Sequence, residues 1–150
     1  MFKVFYEDLE VGSEEAFGGY EVTKQEIVEF AGKYDPQPFH LDEEMAKHSV
    51  FGKLCASGWH TCAMTMSMLV DYMKDKGFAG MGSPGVDNIR WKTPVFPGDV
   101  LSVQSEVIEK RESQSRPKLG LVKSKYRVFN QKDDLLMEMT TNVMVLKRGD

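Results

Sequence analysis

The chain has 150 residues, of which 41% are hydrophobic and 28% charged, and its formal net charge is −4. That length is most simply one domain, 1–150, able to bury about 68–70% of the surface its unfolded chain exposes. A mildly acidic balance argues against a nucleic-acid partner, which favours a basic face. No apolar run is long enough to span a bilayer, and "MFKVFYEDLEVG" turns acidic too early for a signal peptide, so a cytoplasmic protein is expected. Two cysteines, Cys55 and Cys62, are too few for a disulfide framework or a zinc cluster.

In chain order, residues 13–22 read as a strand in which Gly18 and Gly19 suggest a bulge or bend. "TKQEIVEFAGKY" follows as a helix. Thr23 and Glu26 fit a capping box, and Ile27, Phe30 and Ala31 supply one apolar face. In "YDPQPFHLDEEMA", Pro36 and Pro38 break regular helix and restrict the residues before them. A stiff loop is therefore expected, with Asp35 at one end and His40 at the other. Asp42 then caps a short helix reaching about Lys47.

The longest helical signal is "SGWHTCAMTMSMLVDYMKDKG". Ser57 is positioned to cap it, and Gly58 falls in its first turn. Its middle is apolar nearly all round, which predicts a buried helix. From there the period changes to two, across 86–96, 98–113, 119–131 and 135–148, with turn signals at Pro97-Gly98-Asp99, Arg116-Pro117-Lys118 and 131–134. On the second of these strands Val103, Ser105, Val107 and Glu109 are read as one face and Leu101 as the other. One long helix followed by three or four antiparallel strands predicts an α+β layer arrangement, a curved sheet wrapped around the helix. Open sheet edges make pairing across a two-fold axis a common solution.

Two stretches carry candidate chemistry. Asp35 and His40 are a carboxylate and an imidazole at the ends of a constrained loop, able to act as complementary acid and base. On spacing alone, the plainer reading is that Asp35 caps a turn and His40 is a hydrogen-bonded core residue. The second stretch is "CASGWHT", Cys55 to Thr61. Early helix N–H groups lack intrahelical acceptors and favour negative charge, and Gly58 has no side chain to bar a ligand oxygen. That suits polarising a carbonyl; a well-capped helix with a close-packed glycine explains the same residues.

"YDPQPFHLDEEMA", "FGKLCASGWHT" and "PVFPGDVLSVQSEV", taken together and in this order, resemble the MaoC-like dehydratases, which include the R-specific enoyl-CoA hydratases. The family's Asp-x-Asn-Pro-x-His motif matches Asp35-Pro36-Gln37-Pro38-Phe39-His40, with Asp42 as the acidic residue that follows. Gly58 matches the glycine that starts the family's central helix. Gln37 stands where the motif has asparagine, Tyr34 where a glycine is frequent, and Ser57 where a histidine usually precedes the glycine. The resemblance implies the hot-dog fold, an antiparallel sheet around a long central α-helix, and a homodimer or higher homo-oligomer. It also implies a hydro-lyase acting on an acyl-CoA, with Asp35, His40 and Gly58 as catalytic groups and no cofactor. Gln37, Phe39, Ser57 and Trp59 are expected to bind substrate.

Other features are weighed against plainer roles. His48 and His60 lack the tight spacing to His40 and Asp42 that a metal site needs, so no metal is expected. Ser57 has no Gly-x-Ser-x-Gly elbow to make it a nucleophile. Met64, Met66, Met68 and Met73 are core or an adaptable pocket wall. Arg90 and Lys92 flank Trp91 on a strand and should share one face, either solvated or meeting coenzyme A phosphates. Lys123, Lys125 and Arg127 show the same period. A thioesterase and a non-catalytic acyl-thioester binding module are the alternative functions.

Overall fold

Thr23 begins helix α1 (Lys24–Tyr34): its hydroxyl accepts the Glu26 N–H at 3.2 Å, as the capping pattern predicts. Only half of the expected box forms, because the Glu26 carboxylate is engaged by Tyr20 and His60 instead. The computed structural model describes residues 1–149. Strand β1 (Glu14–Glu21) precedes α1, and two short helices follow, α2 (Pro38–Leu41) and α3 (Glu43–Lys47). The Asp42 carboxylate caps α3 by accepting the N–H groups of Glu44 and Met45. Helix α4 (Gly58–Lys76) is capped by Ser57 and ended by Gly77, whose φ of 69° is left-handed and favours glycine. The rest is strand: β2 (Gly85–Trp91), β3 (Val100–Glu112), β4 (Leu119–Phe129) and β5 (Leu135–Leu146).

All five strands form one antiparallel sheet in the order β1-β3-β4-β5-β2. Four strands follow α4, at the upper end of the three or four expected there, and the strand expected at residues 13–22 joins them as β1 at the β3 edge. Gly18 allows that join: a Cβ there would lie 2.9 Å from the Ser102 Cα, and the register shifts between Gly18 and Tyr20. The sheet's inner face packs on α4, where Met64, Met68 and Leu69 meet Leu101, Val103, Val128, Leu136 and Met137, all buried. Each such side chain contributes about 1.5–3 kcal/mol on burial. The hot-dog arrangement implied by the resemblance is therefore present.

Three details differ from the sequence reading. Leu101 lies on the same face as Val103, since residues two apart share a face. A bulge between Val107 and Glu109 then turns Glu109 outward to Lys123 and swings Lys110 inward over the Tyr6 ring. Helix α4 is buried along one stripe only: Met66 and Trp59 remain exposed, because one sheet covers one side of a helix. On the outer sheet face Lys123, Lys125 and Arg127 pair with Asp87, Glu109, Glu138 and Glu106 at 3.4–3.9 Å, contacts worth little individually.

Candidate active site

The proline stretch does not stay extended. Gln37 is extended, but Pro38 opens α2 as its first residue, where a missing N–H costs nothing. The turn folds the chain back, so that Nε2 of His40 comes within 3.5 Å of Oδ2 of Asp35. Asp35 itself is the C-cap of α1, its N–H donating to the Ala31 carbonyl. Helix geometry at both ends thus brings the two groups together.

The donors around Asp35 fix its orientation. Ser57 Oγ–H donates to Oδ2 at 2.7 Å, and the Gln37 amide donates to Oδ1 at 2.7 Å. Burial pushes the Asp35 carboxyl up; the bonds from Ser57 and Gln37 and the His40 charge outweigh it and hold it below the usual range. Asp35 therefore enters any reaction at neutral pH as a carboxylate.

His40 is 5% exposed, and its Nδ1 lies 2.7 Å from the Cys55 carbonyl oxygen. A carbonyl only accepts, so Nδ1 carries a hydrogen, and in the neutral imidazole Nε2 presents its lone pair toward Asp35. The segment that supplies this carbonyl is clamped on both sides: Cys55 N–H donates to Phe39 O, and Ala56 N–H to Val95 O. The Cys55 thiol, pushed up to about 11 by burial, is not a nucleophile at neutral pH.

Ser57 joins the two stretches. Its hydroxyl hydrogen goes to Asp35, while its oxygen accepts the Trp59 N–H at 3.3 Å. Gly58, next in line, is the first residue of a nineteen-residue helix, where N–H groups lack intrahelical acceptors and the dipole favours anions. All three expected catalytic positions line one cleft of about 430 Å³, with Gln37, Phe39 and Trp59. Trp91, Phe51, Thr61 and Lys92 also line it. A second cavity, of about 330 Å³, lies beside Leu69, Tyr72 and Met73 of α4 and carries no imidazole.

The space above Gly58 is filled by the Trp91 indole, so the missing Cβ serves ring packing, the plainer of the two readings of this glycine. One expectation needs correcting here. Arg90 and Lys92 do not share a face: β2 ends at Trp91, and the N–H groups of Lys92 and Thr93 both turn to the Leu136 carbonyl. The alternation stops there, and Lys92 borders the cleft while Arg90 does not. His60 lies apart, against Glu26 at 3.2 Å and stacked on Phe30.

This architecture has known counterparts. The model of the MaoC like domain matches residues 11–128. The chain belongs to this family. Among related proteins, the uncharacterized protein YdeM of Bacillus subtilis (strain 168) is 31% identical over 127 residues, covering 83% of this chain and 86% of that one. The 3-hydroxybutyryl-CoA dehydratase of Methylorubrum extorquens is 29% identical over 118 residues, 78% of this chain and 72% of that one. The crystal structure of the MaoC-like dehydratase from Rhodospirillum rubrum superposes with a TM-score of 0.89 at 39% identity, covering 99% of this chain and all of that one.

Sequence reasoning missed three contributors. Ser57 was expected as a helix cap and a substrate contact, but its role as a donor to Asp35, twenty-two residues away, was not legible. The Cys55 carbonyl carries no sequence signal, because every residue has one. Trp91 was noticed only as a divider between two cations, although a large aromatic at a strand end facing an unsubstituted helix start is a steric match.

Proposed function

We propose that this protein is a hydro-lyase that adds water reversibly to a trans-2-enoyl-CoA, or a related acyl thioester, giving the 3-hydroxyacyl thioester. The observation that carries this reading is the convergence of Asp35 Oδ2 and His40 Nε2 at 3.5 Å in a cleft that also holds a helix N-terminus. With the imidazole neutral both atoms accept, and a water bound to the pair donates one O–H to each. The thioester oxygen accepts from the Gly58 N–H, where the helix start stabilises the negative charge that develops as the double bond is attacked. The water oxygen bonds to the β carbon, the Asp35/His40 pair takes one of its protons, and the pair returns that proton to the α carbon. Dehydration retraces these steps. Family membership and the resemblance to a 3-hydroxybutyryl-CoA dehydratase support the reading.

In this reading the protein is a homodimer or larger homo-oligomer. Trp59 and Met66 leave apolar surface on α4, and β1 and β2 are unpaired sheet edges; light scattering at monomer mass would count against it. The activity is tested by following loss of conjugated thioester absorbance with a short and a medium-chain trans-2-enoyl-CoA, assaying free thiol in parallel. Absorbance loss without thiol release, and an R-configured 3-hydroxy product, is the expected result. Thiol release would instead identify a thioesterase, and binding without turnover an acyl-thioester binding module.

A further inference from the structure

The first turn of α4 is roofed by an indole. A Cβ added to Gly58 would stand 2.5 Å from Cε2 of Trp91, closer than carbon atoms approach, so the ring rests directly on the glycine. The indole N–H donates to the Gly58 carbonyl at 3.0 Å, which fixes the ring's orientation as well as its place. Trp59 backs it edge to face at 5.3 Å. Phe39 and Phe51, whose ring centres are 5.2 Å apart, border the same cleft. Val95 and Leu136 border it too, and at 3% and 1% exposed they belong to the close-packed main core. The cleft is thus flanked by aromatic rings and floored by core.

We infer that Trp91 is a specificity-determining residue, an aromatic wall fixed on Gly58 that restricts the cleft to short, flat acyl groups. This rests on the proposed acyl-thioester chemistry and names its substrate class. A conjugated enoyl group is planar and packs on aromatic faces, whereas a longer saturated chain needs the room the indole occupies. The ring cannot move deeper, since Gly58 is already in contact. It cannot rotate without giving up its bond to the Gly58 carbonyl. Removing the ring opens that room, and each methylene the chain then buries tightens binding about four-fold.

The test is calorimetric titration of the wild type, Trp91→Phe and Trp91→Ala with butyryl-, hexanoyl-, octanoyl- and decanoyl-CoA, which are saturated and cannot be hydrated. Wild-type affinity is expected to fall along the series, and Trp91→Ala to reverse the order, with Trp91→Phe between them. Circular dichroism accompanies each variant; if the alanine variant does not fold, the phenylalanine variant, which keeps a ring on Gly58, decides alone. A uniform change across all four ligands would overturn the inference, because Trp91 would then contact the coenzyme portion or serve the fold alone. So would unchanged affinities. Hydration of crotonyl-CoA by the wild type is measured separately. Chain-length discrimination without hydration would keep the wall and remove the hydratase reading, whereas hydration without discrimination would do the opposite.

Discussion

The protein carries two carboxylate–histidine pairs between α1 and the start of α4, and they are built for opposite ends. In one, His40 gives its Nδ1 hydrogen to a backbone carbonyl and turns a free Nε2 toward Asp35 and the cleft. In the other, His60 directs Nε2 to Glu26, whose Oε1 also accepts the Tyr20 hydroxyl, while Nδ1 is buried with no partner among the described residues. Burial holds the His60 imidazole below its ordinary range against the pull of Glu26, and it pushes the Tyr20 phenol, bonded to the same carboxylate, up to about 12. The second pair is a brace, its imidazole buried and its spare nitrogen shut away from solvent. What separates a site from a brace is which nitrogen is left over and what it faces, not the presence of an acid beside a base.

The sharpest way to break this comparison is to disable each pair in turn. Asp35→Asn and His40→Ala are each expected to lower hydration by about 10²- to 10⁴-fold, the range of a lost acid–base group, with unchanged circular dichroism. Retained activity in either variant would remove that residue from the mechanism. Replacing His60 by leucine, by contrast, should leave hydration near the wild-type rate.

A smaller effect is expected at the junction of the two stretches. Ser57→Ala deletes a bond to an ionised group, worth about 1.5–3 kcal/mol, and should slow hydration by about ten- to a hundred-fold. It also removes a bond that lowers the Asp35 carboxyl, so the acid limb of the pH–rate profile should move to higher pH. The stability that the depressed Asp35 contributes is present above its unfolded value of about 3.9 and is lost as pH falls through the lower folded value. An unmoved acid limb would mean that Ser57 serves α4 and not Asp35.

The smallest effect concerns the brace. The folded His60 resists protonation, whereas the unfolded chain takes the proton near about pH 6.5. Its contribution is complete above that pH and is lost as pH falls through the lower folded value. The drop in urea midpoint between about pH 7.5 and about pH 5.5 should therefore shrink in His60→Leu. An undiminished drop would assign the acid sensitivity to another group.

The legible parts of the molecule are those governed by neighbours in sequence. Caps at Thr23, Asp42 and Ser57, the glycine stop at Gly77, the bulge at Gly18 and the two-residue period of β3–β5 all follow from local rules, and the structure contains them. Asp35 and His40 were legible as candidates because their spacing and the prolines between them are local too. What escaped depends on distant chain. The stripe-like burial of α4 is set by how much sheet there is to cover it, the end of β2 at Trp91 by the bonds of Lys92 and Thr93 to Leu136, and the tautomer of His40 by a carbonyl fifteen residues on.

The sheet order has a kinetic consequence. The three central strands are consecutive, so β3, β4 and β5 can pair through short turns, but the two edges cannot: β1 must find β3 past all of α1 to β2, and β2 must find β5 past β3 and β4. Closing long loops costs entropy before any contact rewards it. Trp91 stands on one of those late edges, and Asp35 and Gly58 lie in the chain between them. We therefore expect the central meander to be the first part of the protein to gain its shape and the cleft the last, so that in a refolding experiment recovery of hydration trails the return of the strand signal.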